Sequence, residues 1–461
     1  MSEISTNLIK EVVYNLCFEA NTCLCDEVYS KILKNYEAQT NTKLKNILGL
    51  ILKNAKTAYE KKLPLCQDTG QVVVFLEVGQ DVLIKGEFVG EAINSAVSKC
   101  YTDNFFRKSV VKNAVFDRTN TKNNTPVIIH TKFIKGEELN IKVLIKGAGS
   151  ENKSRLEMML PTVSEEEIFQ KISNLILAAD VNACPPMFIG VGIGGTSEKA
   201  MILSKEALVC DDFSQEEREF AQKIKAEVNK KADNIYKNCY VEDVNVLTSS
   251  THIACLPVAI TVNCHSDRVA SCTISDNKIT YNNKTPNFIE ITNDYSQVKE
   301  IQTTDISAVR ELQQGDEALL TGEIYVARDM AHKKMFEMIE RGESLPFDIK
   351  DKIIFYAGPC PNKDGEIIGS IGPTTASRMD KYAEKFYNIG LLATIGKGSR
   401  SKSVADCIKK NNAKYFSTIG GIAALLSETV KEKELIAFEE LGAEALYKIK
   451  VEKFPIKTEI A

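Results

Sequence analysis

The chain has 461 residues, with 58 Lys+Arg against 62 Asp+Glu for a net charge of −4; 44% of residues are hydrophobic and 26% charged. This composition is typical of a soluble globular protein rather than a disordered or membrane one, and the charge balance offers no global attraction to nucleic acid or anionic lipid. Apolar runs such as Leu256–Val262 and Leu391–Ile395 fall far short of the ~20 residues of a spanning helix, so no membrane partner is expected. Thirteen cysteines, an odd number scattered along the chain, match no disulfide framework of a small secreted domain. Met1–Val13 lacks the pattern of a signal or transit peptide, which implies a cytoplasmic protein.

The length implies more than one domain, and no repeat of 20–50 residues is present. Leu44, Ile47, Leu48 and Ile51 recur at helical spacing in the first stretch. Gln71–Val78 reads as a strand, as do Pro126–Ile134 and Leu139–Ile145, which a Lys-Gly-Glu-Glu turn joins. Ser164 and Glu167 form a capping-box signature ahead of a helix over Ile168–Ala179. Tyr281–Val298, rich in Asn, Asp, Lys and Thr, reads as a linker. Beyond it, Ala318–Val326 predicts a strand, Met330–Ile339 a helix and Ile353–Phe355 another strand. The expectation is therefore an α/β chain in two parts: a larger domain over 1–280, a linker over 281–298 and a smaller domain over 299–461.

Chemistry-bearing residues concentrate in loops. Cys66-Gln67-Asp68-Thr69-Gly70 places a thiol two residues from a carboxylate, and Cys184 is followed by Pro185-Pro186. Between Thr251 and Arg268 lie His252, Cys255, Cys264 and His265, in none of the spacings of a structural zinc site. The ferredoxin run of cysteines is missing too. Gly190-Val191-Gly192-Ile193-Gly194-Gly195 satisfies G-x-G-x-x-G and raises an NAD-dependent oxidoreductase as a competing class. That fingerprint also needs a second strand ending in an acidic residue about twenty positions on, where this chain reads as helix. The glycines are read instead as a tight, anion-tolerant turn.

Taken in order, Cys66-Gln67-Asp68-Thr69-Gly70, Lys146-Gly147-Ala148-Gly149-Ser150-Glu151-Asn152-Lys153, Cys184-Pro185-Pro186 and Asn263-Cys264-His265 resemble the class I fumarases and the related L-tartrate dehydratases. The second part is similar as well, through Thr321-Gly322-Glu323-Ile324, Ala327-Arg328-Asp329-Met330-Ala331-His332-Lys333, Gly372–Asp380 and Gly396-Lys397-Gly398. The resemblance implies a hydro-lyase acting on a small dicarboxylic acid, fumarate and L-malate first, with L-tartrate or 2-methylmalate as alternatives. It also implies a homodimer and a swivelling β/β/α second domain.

By the same resemblance Cys66, Cys184 and Cys264 hold a [4Fe-4S] cluster with one open iron, which can act as a Lewis acid. Gln67, Arg107, Gly149, Arg328, Arg378 and Lys397 bind substrate. Guanidinium groups suit this role because they donate two parallel hydrogen bonds to a carboxylate. Thr374 is implied as the base at carbon, with Asp68 and His252 on the hydroxyl side. A Thr hydroxyl needs strong activation, which Arg378 and Lys397 could supply by stabilising the alkoxide. Its bland alternative is a helix cap. Cys264, in a polar loop, is preferred as third ligand over Cys255, whose neighbours Ala254 and Leu256 suggest core.

Overall fold

The computed structural model describes residues 2–179, 183–236, 240–292 and 298–461; of the expected linker, 293–297 lie outside the described residues. The chain divides into two compact units, Met1–Lys62 with Asp68–Ile291 and Leu63–Gln67 with Thr292–Ala461. No helix among the described residues is long and apolar enough to cross a membrane.

The first unit contains a five-stranded sheet in the order Lys278–Tyr281, Val269–Ser275, Leu139–Lys146, Gln71–Gly79, Ile128–Ile134. Gln71–Gly79 is a nearly continuous apolar run and lies at the interior of the sheet, antiparallel to Leu139–Lys146 and parallel to Ile128–Ile134. The two strands expected to follow one another across the Lys-Gly-Glu-Glu turn are thus not paired. On one face Val72, Val74, Leu76, Ile141, Val143 and Ile145 pack under the helices Thr6–Thr22 and Val89–Asp103. The first helix contributes Ile9, Val12, Val13, Leu16 and Cys17, each fully buried at helical spacing. A fully buried large aliphatic side chain stabilises by about 1.5–3 kcal/mol, so this stripe outweighs intrinsic propensity in holding the helix.

A second sheet of this unit runs Arg155–Met159, Leu256–Asn263, Met187–Ile193, Val241–Thr248. The helices Glu165–Leu177 and Gln215–Tyr236 cover one face through Ile172, Ile176, Ile224 and Val228. The capping box forms as the sequence predicts: the Ser164 side chain accepts from the Glu167 amide, and the Ser164 amide donates to the Glu167 carboxylate. Against the other face lies Ser197–Glu206, and here the Gly-rich segment finds its use. A Cβ on Gly190 would stand 1.9 Å from the Ser204 carbonyl oxygen, and one on Gly192 2.1 Å from that of Ala200. The glycines let helix backbone touch strand backbone. Gly190→Ala must push the helix off the sheet, and overpacking of this kind costs typically ~1–3 kcal/mol. A lowered denaturation midpoint is the expected result, and an unchanged one would mean that the contact is not needed.

The second unit is built on a seven-stranded sheet in the order Lys299–Gln302, Glu317–Val326, Ile353–Phe355, Ala393–Gly396, Lys414–Ser417, Leu446–Ile460, Val430–Ala437. The first five run parallel, and the long Leu446–Ile460 pairs antiparallel with three partners, Glu317–Val326 included. Helices Asp329–Glu340, Asp380–Asn388 and Lys402–Lys410 bury Met335, Phe386, Tyr387, Val404 and Ile408 against it.

Candidate active site

In the second unit, three adjacent parallel strands, Glu317–Val326, Ile353–Phe355 and Ala393–Gly396, end just before Ala327-Arg328, Tyr356 and Lys397 respectively. The carboxyl ends of parallel strands are where α/β sheets hold ligands, because the loops there are released from ladder pairing. Thr374 lies on the segment that crosses these ends. Its amide donates to the Tyr356 carbonyl at 2.7 Å, and its carbonyl accepts from the Lys397 amide at 3.1 Å; Ala376 in turn donates to the Lys397 carbonyl at 2.9 Å. Thr374 and Lys397, distant in sequence, are therefore neighbours fixed by backbone. Thr374 is buried and is not a helix cap: the short helix Ala376–Met379 starts after Thr375, with no side-chain cap bond.

Leu63–Gln67 belongs to this unit, not to the first domain where the sequence reading put Cys66 and Gln67. The reason is a set of backbone anchors: Ser370 Oγ donates to the Pro64 carbonyl at 2.7 Å, and the Ala423 amide to that of Leu65 at 3.3 Å. Gln67 is buried, its Nε2 donates to the Pro373 carbonyl at 3.3 Å, and Gly372 leaves no room for a Cβ beside Gln67 Oε1. Gln67 is thereby placed one residue from Thr374.

Arg328 and Arg378 converge on a residue that the sequence reading quoted without assigning a role, Asp329. Arg378 donates twice, Nε to Oδ1 at 2.9 Å and Nη2 to Oδ2 at 2.7 Å, while Arg328 Nε reaches Oδ2 at 3.2 Å. Arg328 Nη2 also bonds Glu444 at 2.7 Å. Burial pushes the Asp329 carboxyl up, but Arg378 and Arg328 outweigh it and hold the group below the usual carboxylate range. In this structure the two-pronged face of Arg378 grips Asp329. The adjacency of Arg328 and Asp329 in sequence was the available signal for this role.

In the first unit, Asp68 is the hub. Its Oδ2 accepts from the Ala148 amide at 2.8 Å, its Oδ1 stands 3.1 Å from Arg107 Nη2, and its carbonyl accepts from Arg268 Nη1 at 2.6 Å. Desolvation raises its pKa, and Arg107 and Arg268 overcome this to keep it below normal. Arg107 is only 12% exposed, and Thr69 Oγ1 holds its carbonyl at 2.6 Å, so it is no ordinary surface charge. Gly149 sits in the one-turn helix Ala148–Glu151, whose first amide Asp68 engages.

The segments bearing Cys184 and Cys264 meet within this unit. The His265 amide donates to the Cys184 carbonyl at 3.3 Å, and Cys264 Sγ lies 2.9 Å from Ser266 Oγ. Cys184 takes a left-handed backbone, φ 59°, a conformation that costs a non-glycine residue of order 1–3 kcal/mol and gathers at functional sites. Beneath them Lys146, which the sequence motif contains without a role, is buried with Nζ 2.5 Å from the Val262 carbonyl and 2.6 Å from Asn263 Oδ1. Burial pushes its ammonium down to about 8.

Leu256–Asn263 forms as one strand, with Cys255 at its start and Cys264 just past its end. Cys255 is exposed, in a turn whose Ile253 is 91% exposed; the expectation of a core thiol fails because that turn precedes the sheet. Seven steps of strand at ~3.4 Å put about 24 Å between its ends. His252 belongs to the Cys255 end, exposed, its Nδ1 accepting from the Ala254 amide at 3.1 Å. The fold does not bring it to Asp68, whose neighbour Arg268 follows the opposite end.

Cys66, Cys184 and Cys264 are all half-buried loop thiols, suited as thiolate donors to iron. Among the described residues no three Cys, His, Asp or Glu side chains stand close enough to share a single ion. A four-iron cluster, however, spreads its ligands over separate corners, so the donor chemistry of the trio fits such a group. The dinucleotide alternative does not fit. The Gly194 and Gly195 amides are spent on the Pro257 and Ser250 carbonyls, and the parallel neighbour strand ends at Thr248 with no carboxylate. The same two bonds correct the anion-tolerant reading of that turn.

Loops at the ends of parallel strands, a clustered pair of arginines and a fixed Thr–Lys pair define an enzyme of the α/β class. Residues 10–273 match the family described as Fumarate hydratase (Fumerase), and 275–460 match Fumarase C-terminus. The chain is 32% identical to Fumarate hydratase 2 of Leishmania major, over 93% of this chain and 80% of that protein. It is 31% identical to the anaerobic class I fumarate hydratase of Escherichia coli, over 92% of this chain and 82% of that one. The aerobic class I fumarate hydratase of Salmonella typhimurium is 31% identical over 98% of this chain and 82% of its own length. The chain belongs to the fumarate hydratase family and is a hydro-lyase.

Proposed function

We propose that this enzyme interconverts fumarate and L-malate, with Cys66, Cys184 and Cys264 holding a [4Fe-4S] cluster. The observation that carries the reading is the backbone lock that sets Thr374 against Lys397, one residue from Gln67 and four residues before Arg378, which is paired with Asp329. The choice of fumarate rests on the relatives named above. Dehydration of malate removes a proton from one carbon and hydroxide from the next, with the electron pair of the C–H bond becoming the second bond of the alkene. Thr374 Oγ accepts the carbon proton, and the Lys397 ammonium stabilises the alkoxide this requires. Arg328, Arg378 and Arg107 hold carboxylates by charge-assisted hydrogen bonds, and Gln67 and the Gly149 amide orient the acid. Asp68, held as a carboxylate by its arginines, serves the hydroxyl side. When bound, the cluster supplies an open iron as Lewis acid to a substrate oxygen.

The test is an oxygen-free assay of the iron- and sulfide-reconstituted protein with malate, L-tartrate and 2-methylmalate. Malate is expected to turn over fastest, with activity lost on aeration and restored by iron and thiol. Full activity after prolonged aeration and chelation would remove the cluster from the reading, and preference for tartrate would change the substrate.

A further inference from the structure

We propose that Arg400 and Tyr415 form a buried clamp that positions Lys397 against Thr374, making both positioning residues for the reaction. The Arg400 side chain is fully buried, and its guanidinium carbon lies 5.3 Å from the Tyr356 ring centre and 5.2 Å from that of Tyr415. Its Nε stands 2.7 Å from Asp380 Oδ1, an ion pair not aligned as a hydrogen bond, and Nη1 is 3.3 Å from both Tyr356 Oη and Thr394 Oγ1. Asp380 Oδ2 accepts from the Ser401 amide at 2.7 Å, pinning the loop on its far side. The Tyr415 hydroxyl donates to the Gly398 carbonyl at 2.6 Å.

These contacts join into one device. Tyr356 carries the Thr374 amide on its carbonyl and Arg400 on its ring; Tyr415 carries Arg400 on its ring and Gly398 on its hydroxyl. Lys397 lies between, the first residue after its strand ends at Gly396, with its amide and carbonyl bonded to Thr374 and Ala376. Gly398 takes a φ of 77°, so the loop turns sharply just beyond Lys397. A fully buried guanidinium is costly unless paired; here two aromatic rings and the Asp380 carboxylate surround it, while Nε and Nη2 make no hydrogen bond among the described residues. A lysine has neither the planar face nor the reach.

The inference rests on the proposed roles of Lys397 and Thr374, and its test separates the two. Tyr415→Phe removes only the hydroxyl and keeps the ring on Arg400. It is expected to lower kcat for malate roughly 3- to 10-fold, the worth of one hydrogen bond. Hydrogen exchange at the Lys397 and Ala376 amides should quicken, with little change in Tm. Arg400→Lys should do the same to a greater degree; if it does not fold, Tyr415→Phe decides alone. Wild-type exchange at both amides in Tyr415→Phe overturns the clamp, as does a drop in Tm with kcat unchanged. If the unmodified enzyme leaves fumarate and malate untouched, the functional reading fails, while the exchange measurement still decides the clamp.

Discussion

Cys264→Ala, reconstituted with iron and sulfide without oxygen, is expected to lose cluster-dependent absorbance and malate turnover by at least the 10- to 100-fold typical of changes one shell further out. Cys255→Ala is expected to keep most of both. The strand between the two thiols sets the contrast: its length of about 24 Å forbids a shared site, whichever faces the side chains take. Cys264 lies in the loop tied to the Cys184 carbonyl through His265, over the buried Lys146. Cys255 is exposed at the far end. Iron content and the visible spectrum of the two purified variants are the measurements, and loss in Cys255→Ala with retention in Cys264→Ala would reverse the assignment.

Arg378→Lys should lower kcat/KM for malate by roughly 10- to 100-fold, since hydrogen bonds to charged groups are worth ~1.5–3 kcal/mol each and an ammonium cannot remake a two-pronged pair. Arg378 is 48% exposed, so its ion pair with Asp329 adds less than ~1 kcal/mol to stability and Tm should barely move. The structure changes what this experiment reads. Arg378 spends two donors on Asp329, and the same carboxylate touches Arg328, so the loss includes the freeing of Asp329. Asp329→Asn is expected to cost activity as well, and the double variant less than the sum of the two single losses. Strict additivity would mean that the pair does not act as a unit, and wild-type kcat/KM in Arg378→Lys would remove that residue from substrate binding.

Several site features were legible because local chemistry dictates them. The Ser164–Glu167 capping box, the strands Gln71–Gly79, Glu317–Val326 and Ile353–Phe355, and the helix Asp329–Glu340 follow from periodicity and end signals within a few residues of each other. Lys146, Arg268, Asp329 and Arg400 were not found as functional groups. A buried charged side chain and a surface one look alike in sequence; what marks these four is the partner each meets in space: the Asn263 side-chain amide oxygen, the Asp68 carbonyl, Arg378 and the Tyr356–Tyr415 pair.

By itself the sequence determined the α/β character of the chain and, through motifs in a set order, its family, because element type depends on short-range spacing and the motifs are contiguous. Only the tertiary structure decided that Gln71–Gly79 lies between two strands that follow one another in the chain, and that Leu63–Gln67 packs with the second unit. It also decided that the Gly-rich segment serves close helix–strand packing, with two of its amides already spent. Each of these depends on which distant backbone supplies a partner, and a hydrogen bond between residues hundreds of positions apart, such as Gln67 to Pro373, leaves no trace in the spacing of either.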